Sequence, residues 1–299
     1  MRIRQLQYFL LVAEELSFTR AAARAHIDQS PLSRTIKELE EELGVTLFER
    51  SRGSIRLTWS GKVFSEDVRR LLSFLNSIRA RAKAAEHGYR GHLRIALSDG
   101  LAQPRIAELL ARCRAEEPLT EVRVIEMTVD EMVQALRFDQ VDAGFTVHSG
   151  YASENLVKDA VWTDRLVFAI PARHPLLIRD KVPLSEAIQY PMIICHPDRC
   201  SGGFDILSRI FRNAGLEEPL VAEYVSGHEL MMMMVGAGYG IGLALNSQVA
   251  LYSHPGVIIR QIRDDIVEAA TFLVRPNRPS SPELERFVLR AKDIGTKIT

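Results

Sequence analysis

Residues 17–44 read SFTRAAARAHIDQSPLSRTIKELEEELG, and the pattern is two helices joined by a tight break. Ser17 is suited to cap a short, alanine-rich helix over Thr19–Ala25. The pattern breaks at Ile27-Asp28, and a longer helix is expected from about Ser30 to Glu42. Pro31 falls in its first turn, where no backbone N–H is needed. Leu32, Ile36, Leu39 and Leu43 give this helix a buried stripe, whereas Gln29, Ser30, Ser33, Arg34 and Lys37 share another face, and Gly44 ends it. A helix-turn-helix needs this arrangement, because the N-terminal side chains of its second helix reach base edges. Gln29 can bond adenine or a phosphate, Arg34 can take guanine O6 and N7, and Ser30 and Ser33 can bond either. Lys37, one turn on, points toward the sugar–phosphate backbone. The plainer alternative is a generic three-helix module with solvated charges.

Outward from this stretch the pattern stays helical. Leu6, Phe9, Leu10 and Ala13 recur at helical spacing before it. After it, Leu47-Phe48-Glu49 and Ile55-Arg56-Leu57 can pair as a hairpin across Arg50–Ser54, with Arg50, Arg52 and Arg56 as a basic wing. From Ser60, the residues Phe64, Val68, Leu71, Leu75, Ile78, Ala82 and Ala85 form a heptad seam. A long helix with so narrow an apolar seam is expected to pair with another helix; packing on its own domain is the alternative. Gly88 and Gly91 stop it.

Residues 92–299 alternate strand and helix patterns. Leu93–Leu97, Val122–Met127 and Val141–Val147 read as strands, with helices to about Glu116 and over Val129–Asp139 between them. This is the rhythm of a parallel sheet. A second set comprises strands Arg165–Ile170, Met192–Cys195, Leu220–Val225 and Ile241–Leu245, with helices over Phe204–Asn213 and from about Gly227. Glu268–Val274 and a helix from Pro282 can return to the first set, making two α/β lobes of a hinged clamp. Gly236-Ala237-Gly238-Tyr239-Gly240-Ile241-Gly242 follows a helix and precedes a strand, the reverse of a dinucleotide loop. It reads as a helix stop with close packing. Met231–Met234 reads as a buried helix face. Cys195, His196 and Cys200 lack the second ligand pair of a zinc site, and no nucleophile elbow or phosphate loop appears.

Composition agrees with a globular chain of two or three domains: 299 residues, 46% hydrophobic and 25% charged. Residues 1–90 carry 16 basic and 11 acidic side chains, leaving 22 and 27 for the remainder, so a basic head precedes an acidic body. Three cysteines suggest free thiols in a reducing compartment. No signal peptide or membrane-length apolar run is evident, and the cytoplasm is the expected location.

Several of these stretches match a known family. Leu6-Gln7-Tyr8-Phe9, Ser17-Phe18-Thr19-Arg20-Ala21-Ala22, Gln29-Ser30-Pro31-Leu32-Ser33-Arg34, Leu39-Glu40-Glu41-Glu42-Leu43-Gly44, Leu47-Phe48-Glu49-Arg50 and Leu57-Thr58-Trp59-Ser60-Gly61 resemble the LysR-type transcriptional regulators. The pattern is similar to the subgroup that controls aromatic-acid catabolism. The resemblance implies an N-terminal all-α winged helix-turn-helix over 1–58, a linker and dimerisation helix over 59–90, and an α/β two-lobed, periplasmic-binding-protein-like effector domain over 91–299. One lobe would take about 91–162 and 267–299, the other about 163–266. Thr19, Arg20, Gln29, Ser30, Pro31, Ser33, Arg34, Lys37, Arg50 and Arg52 are then the expected DNA contacts. Implied partners are half-sites in double-stranded promoter DNA, a small effector, further copies of the chain as a dimer or tetramer, and RNA polymerase. No membrane, cofactor or metal is implied, and no enzymatic activity.

The effector site is expected at the carboxyl ends of the first parallel strands, at Ser98, Thr128 and Val147. Helices opening near Leu101, Val129, Phe204 and Gly227 would aim free N–H groups into the same cleft. The resemblance supports Ser98, Gly100 and Thr128 from one lobe, and Ser201, Phe204 and Ser226 from the other. It favours a small organic acid, which His196, Arg199 and His228 could assist; Asp99 opposes an anion and suits an amine. Ser98 and Thr128 serve equally well as helix caps. Two other readings remain open: a receptor that binds a small molecule without regulating, and a thiol-based redox sensor through Cys195 and Cys200, as in some LysR-type members.

Overall fold

The computed structural model describes residues 1–51, 54–150, 155–249, 251, 254–264 and 268–296. Its contacts divide the chain into two units, Met1–Ala82 with Phe138–Gln140, and Lys83–Arg137 with Val141–Thr299.

In the first unit α1 (Ile3–Glu15), α2 (Phe18–Arg24) and α3 (Gln29–Leu43) precede a hairpin of β1 (Phe48–Ser51) and β2 (Ser54–Leu57), then α4 (Trp59–Glu86), whose last turn from Lys83 is counted with the second unit. The helices bury Leu6, Phe9 and Val12, then Phe18, Ala21 and Ala22, then Leu32, Ile36 and Leu39, whereas Leu10, Ala13 and Leu43 of the expected stripes are half-buried against the same core. Ser17 Oγ accepts the Arg20 N–H, capping α2 as its position predicts. The Phe9 ring centroid lies 5.4 Å from that of Phe48 and 5.0 Å from that of Phe64, so the hairpin and α4 close over the three helices. A Cβ on Gly61 would stand 2.1 Å from Leu47 O, so only glycine lets α4 start this close to the hairpin.

The heptad seam divides. Val68 is buried, and Phe64 and Leu72 pack against the core of the head, which is the packing that the pairing expectation did not include. Farther along, Leu71, Phe74 and Ile78 stay exposed, and Leu75 is half-buried.

The second unit runs β3 (Gly91–Leu97), α5 (Pro104–Glu116), β4 (Thr120–Glu126), α6 (Val129–Arg137), β5 (Ala143–Thr146) and β6 (Leu156–Pro171). A 3-10 turn (Pro175–Ile178), β7 (Lys181–Val182), α7 (Leu184–Ala187), β8 (Met192–Cys195), α8 (Ser201–Asn213), β9 (Val221–Val225), α9 (His228–Gly236) and β10 (Ile241–Leu245) follow. The unit ends with α10 (Asn246–Val249), β11 (Val257–Ile262), β12 (Glu268–Pro276) and α11 (Pro282–Thr296). β4, β3 and β5 form one parallel set, and β9, β8 and β10 another. Two antiparallel strands join them: β6 pairs with β12 from Leu156 to Arg165 and with β10 from Leu166 to Ala169. The alternation pattern predicts a strand only from Arg165, because Lys158, Asp159 and Asp164 interrupt the apolar residues before it. β12 also pairs with β5, so the chain returns to the first lobe as expected. Trp162 stacks on Phe145 at 5.0 Å and donates its indole N–H to Ala291 O on α11, fastening that return. Among the described residues no helix is long and apolar enough to cross a membrane.

Candidate nucleic-acid interface and effector cleft

On α3 the polar row is outermost: Gln29, Ser30, Pro31, Arg34 and Lys37 are exposed and Ser33 half-buried, while Leu32, Ile36 and Leu39 of the apolar row are fully covered and Leu43 is half-buried. Arg34 pairs with Glu38 at 3.1 Å and Lys37 with Glu41 at 3.5 Å. Exposed pairs of this kind contribute about 0.3–0.5 kcal/mol, little resistance to a phosphate or guanine edge. Thr19 donates its hydroxyl to Gln29 Oε1 at 3.0 Å, so α2 orients the first amide of the recognition helix. Arg20 is turned back: its guanidinium donates to Glu15 at the end of α1, beside Arg24. Those bonds, Arg24's first and Arg20's next, hold the Glu15 carboxyl below its usual range.

Arg50 joins the hairpin to the recognition helix. Its guanidinium lies 4.6 Å over the Phe18 ring, 3.5 Å from Ser33 Oγ and 4.0 Å from Glu40. Glu40 in turn accepts the N–H groups of Leu47 and Phe48 at 2.7 and 3.1 Å. Sequence reasoning missed Glu40, a half-buried acid on the fourth turn of the helix whose only sequence signal is its place directly after Leu39 of the apolar stripe. Arg56 is exposed opposite Glu49 in the ladder, and Arg52 lies outside the described residues.

In the second unit the strand ends of the two lobes meet. Asp99, 4% exposed at φ 56°, follows β3. Its Oδ2 accepts the Thr146 hydroxyl at 2.7 Å and the Val147 N–H at 3.3 Å, and Ser98 Oγ lies 3.1 Å away. Its Oδ1 accepts the N–H of Gly202, second residue of α8, at 2.9 Å. On the other side, Gln248 donates its side-chain amide to Gly100 O and Ser247 donates its hydroxyl to Gln103 Oε1, each at 2.9 Å. His148 pairs with Asp205 at 2.8 Å, and Arg209 donates to Ser149 Oγ at 2.9 Å. The lobes are therefore closed on one another.

Between them is a cavity of about 30 Å³ lined by Asp99, Val147, Cys195, Cys200, His228, Gln248 and apolar side chains. That is room for a couple of waters; an engineered cavity that holds benzene is about 150 Å³. Among the described residues no Lys or Arg lines it. Burial pushes the His228 imidazole down to about 4, so it is neutral near pH 7.

The other expected effector residues are placed differently. Ser98 is wholly buried, sharing its hydroxyl between Phe145 O and Asp99 rather than capping a helix. Thr128 is a cap: its hydroxyl accepts the Glu131 N–H at 3.3 Å, and its own N–H donates to the Glu131 carboxylate at 2.8 Å. Gly100 presents its carbonyl to Gln248, and half-buried Ser201 opens α8. Phe204 packs into the core, His196 Nδ1 accepts the Asp198 N–H, and Arg199 and Ser226 are exposed. The helix expected near Leu101 opens at Pro104, because Asp99 and Gly100 both take left-handed conformations; α8 opens at Ser201, before Phe204. Thr146, Gly202 and Gln248 were not anticipated.

Cys200 is buried beside Cys195, and that neighbouring thiol, then burial, push it well above the usual thiol range. A suppressed thiolate leaves the Cys200 thiol itself a poor nucleophile. The glycine-rich stretch joins α9 to β10 as expected, and a Cβ on Gly240 would lie 2.5 Å from Pro191 O. Of the four methionines, Met231 and Met232 are buried, but Met233 is 55% exposed, so α9 is not buried on all sides.

Comparison with known proteins accounts for both units. Residues 3–62 match the bacterial regulatory helix-turn-helix proteins of the lysR family, and residues 86–293 match the LysR substrate binding domain. The HTH-type transcriptional regulator ClcR of Pseudomonas putida is 32% identical over 255 residues, covering 85% of this chain and 86% of its own. The crystal structure of CbnR, a LysR family transcriptional regulator, superposes with a TM-score of 0.71 at 25% identity over 99% of both chains. Full-length CbnR complexed with its target DNA gives 0.70 at 27% identity over 98% of this chain and 100% of its own. The chain belongs to the LysR family and is a LysR-type transcription regulator, with a DNA-binding helix-turn-helix head and an effector-binding domain.

Proposed function

We propose that this regulator reads its operator with Gln29, Ser30, Ser33 and Arg34 at base edges, while Lys37, Arg50 and Arg52 meet phosphates. Thr19 and Pro31 set the helix in place, and Arg20 ties α2 to the end of α1. The carrying observation is the outward polar row of α3 above buried Leu32, Ile36 and Leu39, oriented by Thr19 and Arg50. The exposed Leu71, Phe74 and Ile78 of α4 pair two copies, and two such dimers engage two half-sites. The effector enters the cleft between the lobes, at the strand ends around Asp99, Gly100, Val147 and His228, and opening or closing of that cleft resets the DNA contacts. The ligand is bound and not turned over, RNA polymerase is the downstream partner, and the cytoplasm is the compartment.

Gel-shift titrations on DNA adjoining the gene, at several salt concentrations, test the reading. Arg34→Ala is expected to cost about 1–3 kcal/mol of specific binding. Arg52→Ala is expected to weaken binding to all sequences and flatten the salt dependence. Unchanged affinity in both variants would overturn the assignment of α3 and the hairpin.

A further inference from the structure

A buried carboxylate is tolerated only where donors meet it, and Asp99 is met from both lobes. The Thr146 hydroxyl and the Val147 N–H come from the end of β5, the Ser98 hydroxyl from the end of β3, and the Gly202 N–H from the first turn of α8. Ser98 and Thr146 are themselves fully buried. The close approach of α8 is built in: a Cβ on Gly202 would stand 2.5 Å from Asp99 Oδ2 and 2.8 Å from the His148 nitrogen. This is a finished cradle for one carboxylate, and the chain fills it with its own.

A free organic acid has two ways in. It can expel Asp99, a carboxylate held at the cradle by the backbone and therefore present at a high effective concentration. Otherwise it must sit beside Asp99 in a cavity lined, among the described residues, by no Lys or Arg and by a neutral imidazole. Both are unfavourable.

We infer that Asp99 is the specificity-determining residue of the cleft. It occupies the anion cradle as an internal carboxylate, shuts carboxylate effectors out, and leaves the adjoining space beside His228 and Gln248, which must widen from its present few waters' room, for an uncharged or cationic ligand. The inference rests on the interlobe cleft being the effector site, as proposed above, and it replaces the organic acid that the family resemblance implied.

The test is chemical rescue in the full-length protein. Asp99→Gly removes the group that acetate resembles, and glycine suits the left-handed backbone at this position. Thermal unfolding is compared in sodium acetate and in sodium chloride of equal concentration. Acetate is expected to raise the Tm of D99G by several degrees and to bind it about tenfold or more tightly than the wild type. Asp99→Asn keeps the side-chain volume and is expected to gain no acetate response. Equal responses of D99G and wild type, or no response of D99G, would overturn the inference. Recovery of soluble D99G only in acetate would support it; recovery in neither salt would overturn it. Operator gel shifts of D99G in the two salts fail separately: acetate binding with no change in operator affinity would sink the cleft as the effector site and leave the acetate result standing.

Discussion

Replacing Leu71 and Ile78 together by aspartate is the sharpest test of how copies of this chain associate. The two residues lie two turns apart on α4, 41% and 44% exposed, with Phe74 between them at 56%. Fully burying a side chain of this size is worth about 1.5–3 kcal/mol. Roughly half of each remains in water, so covering each one gains about 1 kcal/mol. In a symmetric pair of helices three residues count twice, for about 6 kcal/mol before association entropy is charged against it. The double substitution removes about 4 kcal/mol of that total, equivalent to roughly a thousandfold weaker association. Placing four carboxylates in the seam weakens it further.

The helix itself is left nearly unchanged. The carboxylate at position 71 follows Asp67 by four residues, a repulsion of about 0.2–0.5 kcal/mol, while the one at position 78 gains Arg81 three residues on. Sedimentation or light scattering over a range of concentrations, with circular dichroism for helix content, provides the measurement. The expected result is a dissociated, helical, folded chain that binds half-site DNA weakly. An unaltered oligomer at unaltered helicity would show that Leu71, Phe74 and Ile78 do not form the interface. Val68→Asp is the contrasting case: Val68 is 2% exposed within the head, so that variant is expected to unfold the head instead.

Two further predictions concern pH. Hydrogen bonds from Arg286, then those from Arg290, hold Glu117 at about 2, so its contribution is complete above the unfolded value of 4.5 and is lost as pH falls toward 2. Glu117→Gln should therefore destabilise the effector domain near pH 7, by no more than about 3 kcal/mol and less after solvent screening; chemical denaturation should show the gap closing in acid, and a pH-independent gap would refute the ion-pair account. His228 shifts the other way for its type: its folded value of about 4 lies below the ordinary 6.5, so the unfolded chain takes up the proton first and stability drops as pH falls between those values. His228→Gln should remove that drop, and equal acid sensitivity of variant and wild type in thermal unfolding would refute the burial of the imidazole.

The head was legible because its determinants are local. Ser17 caps three residues away, the α3 stripe repeats within four, and Pro31 acts on its own turn. The α4 seam was legible as apolar but not as divided, since its period is the same whether Phe64 and Val68 meet their own head or another helix. The start of β6 was hidden because its neighbours β12 and β10 bury different parts of one strand, which breaks the simple alternation. The cleft marks the same boundary most clearly. A two-residue strand period leads to the ends of β3 and β5, and so to Ser98, Asp99 and Val147. What occupies those ends depends on Thr146, 47 residues from Asp99, on Gly202, 103 residues away, and on Gln248, 148 residues from Gly100. No periodicity carries pairings at such separations. Asp99 beside Ser98 therefore read equally well as repelling an acid or welcoming an amine, and only the Thr146 hydroxyl from the end of β5 and the Gly202 N–H from the second lobe turn it into the occupant of the site.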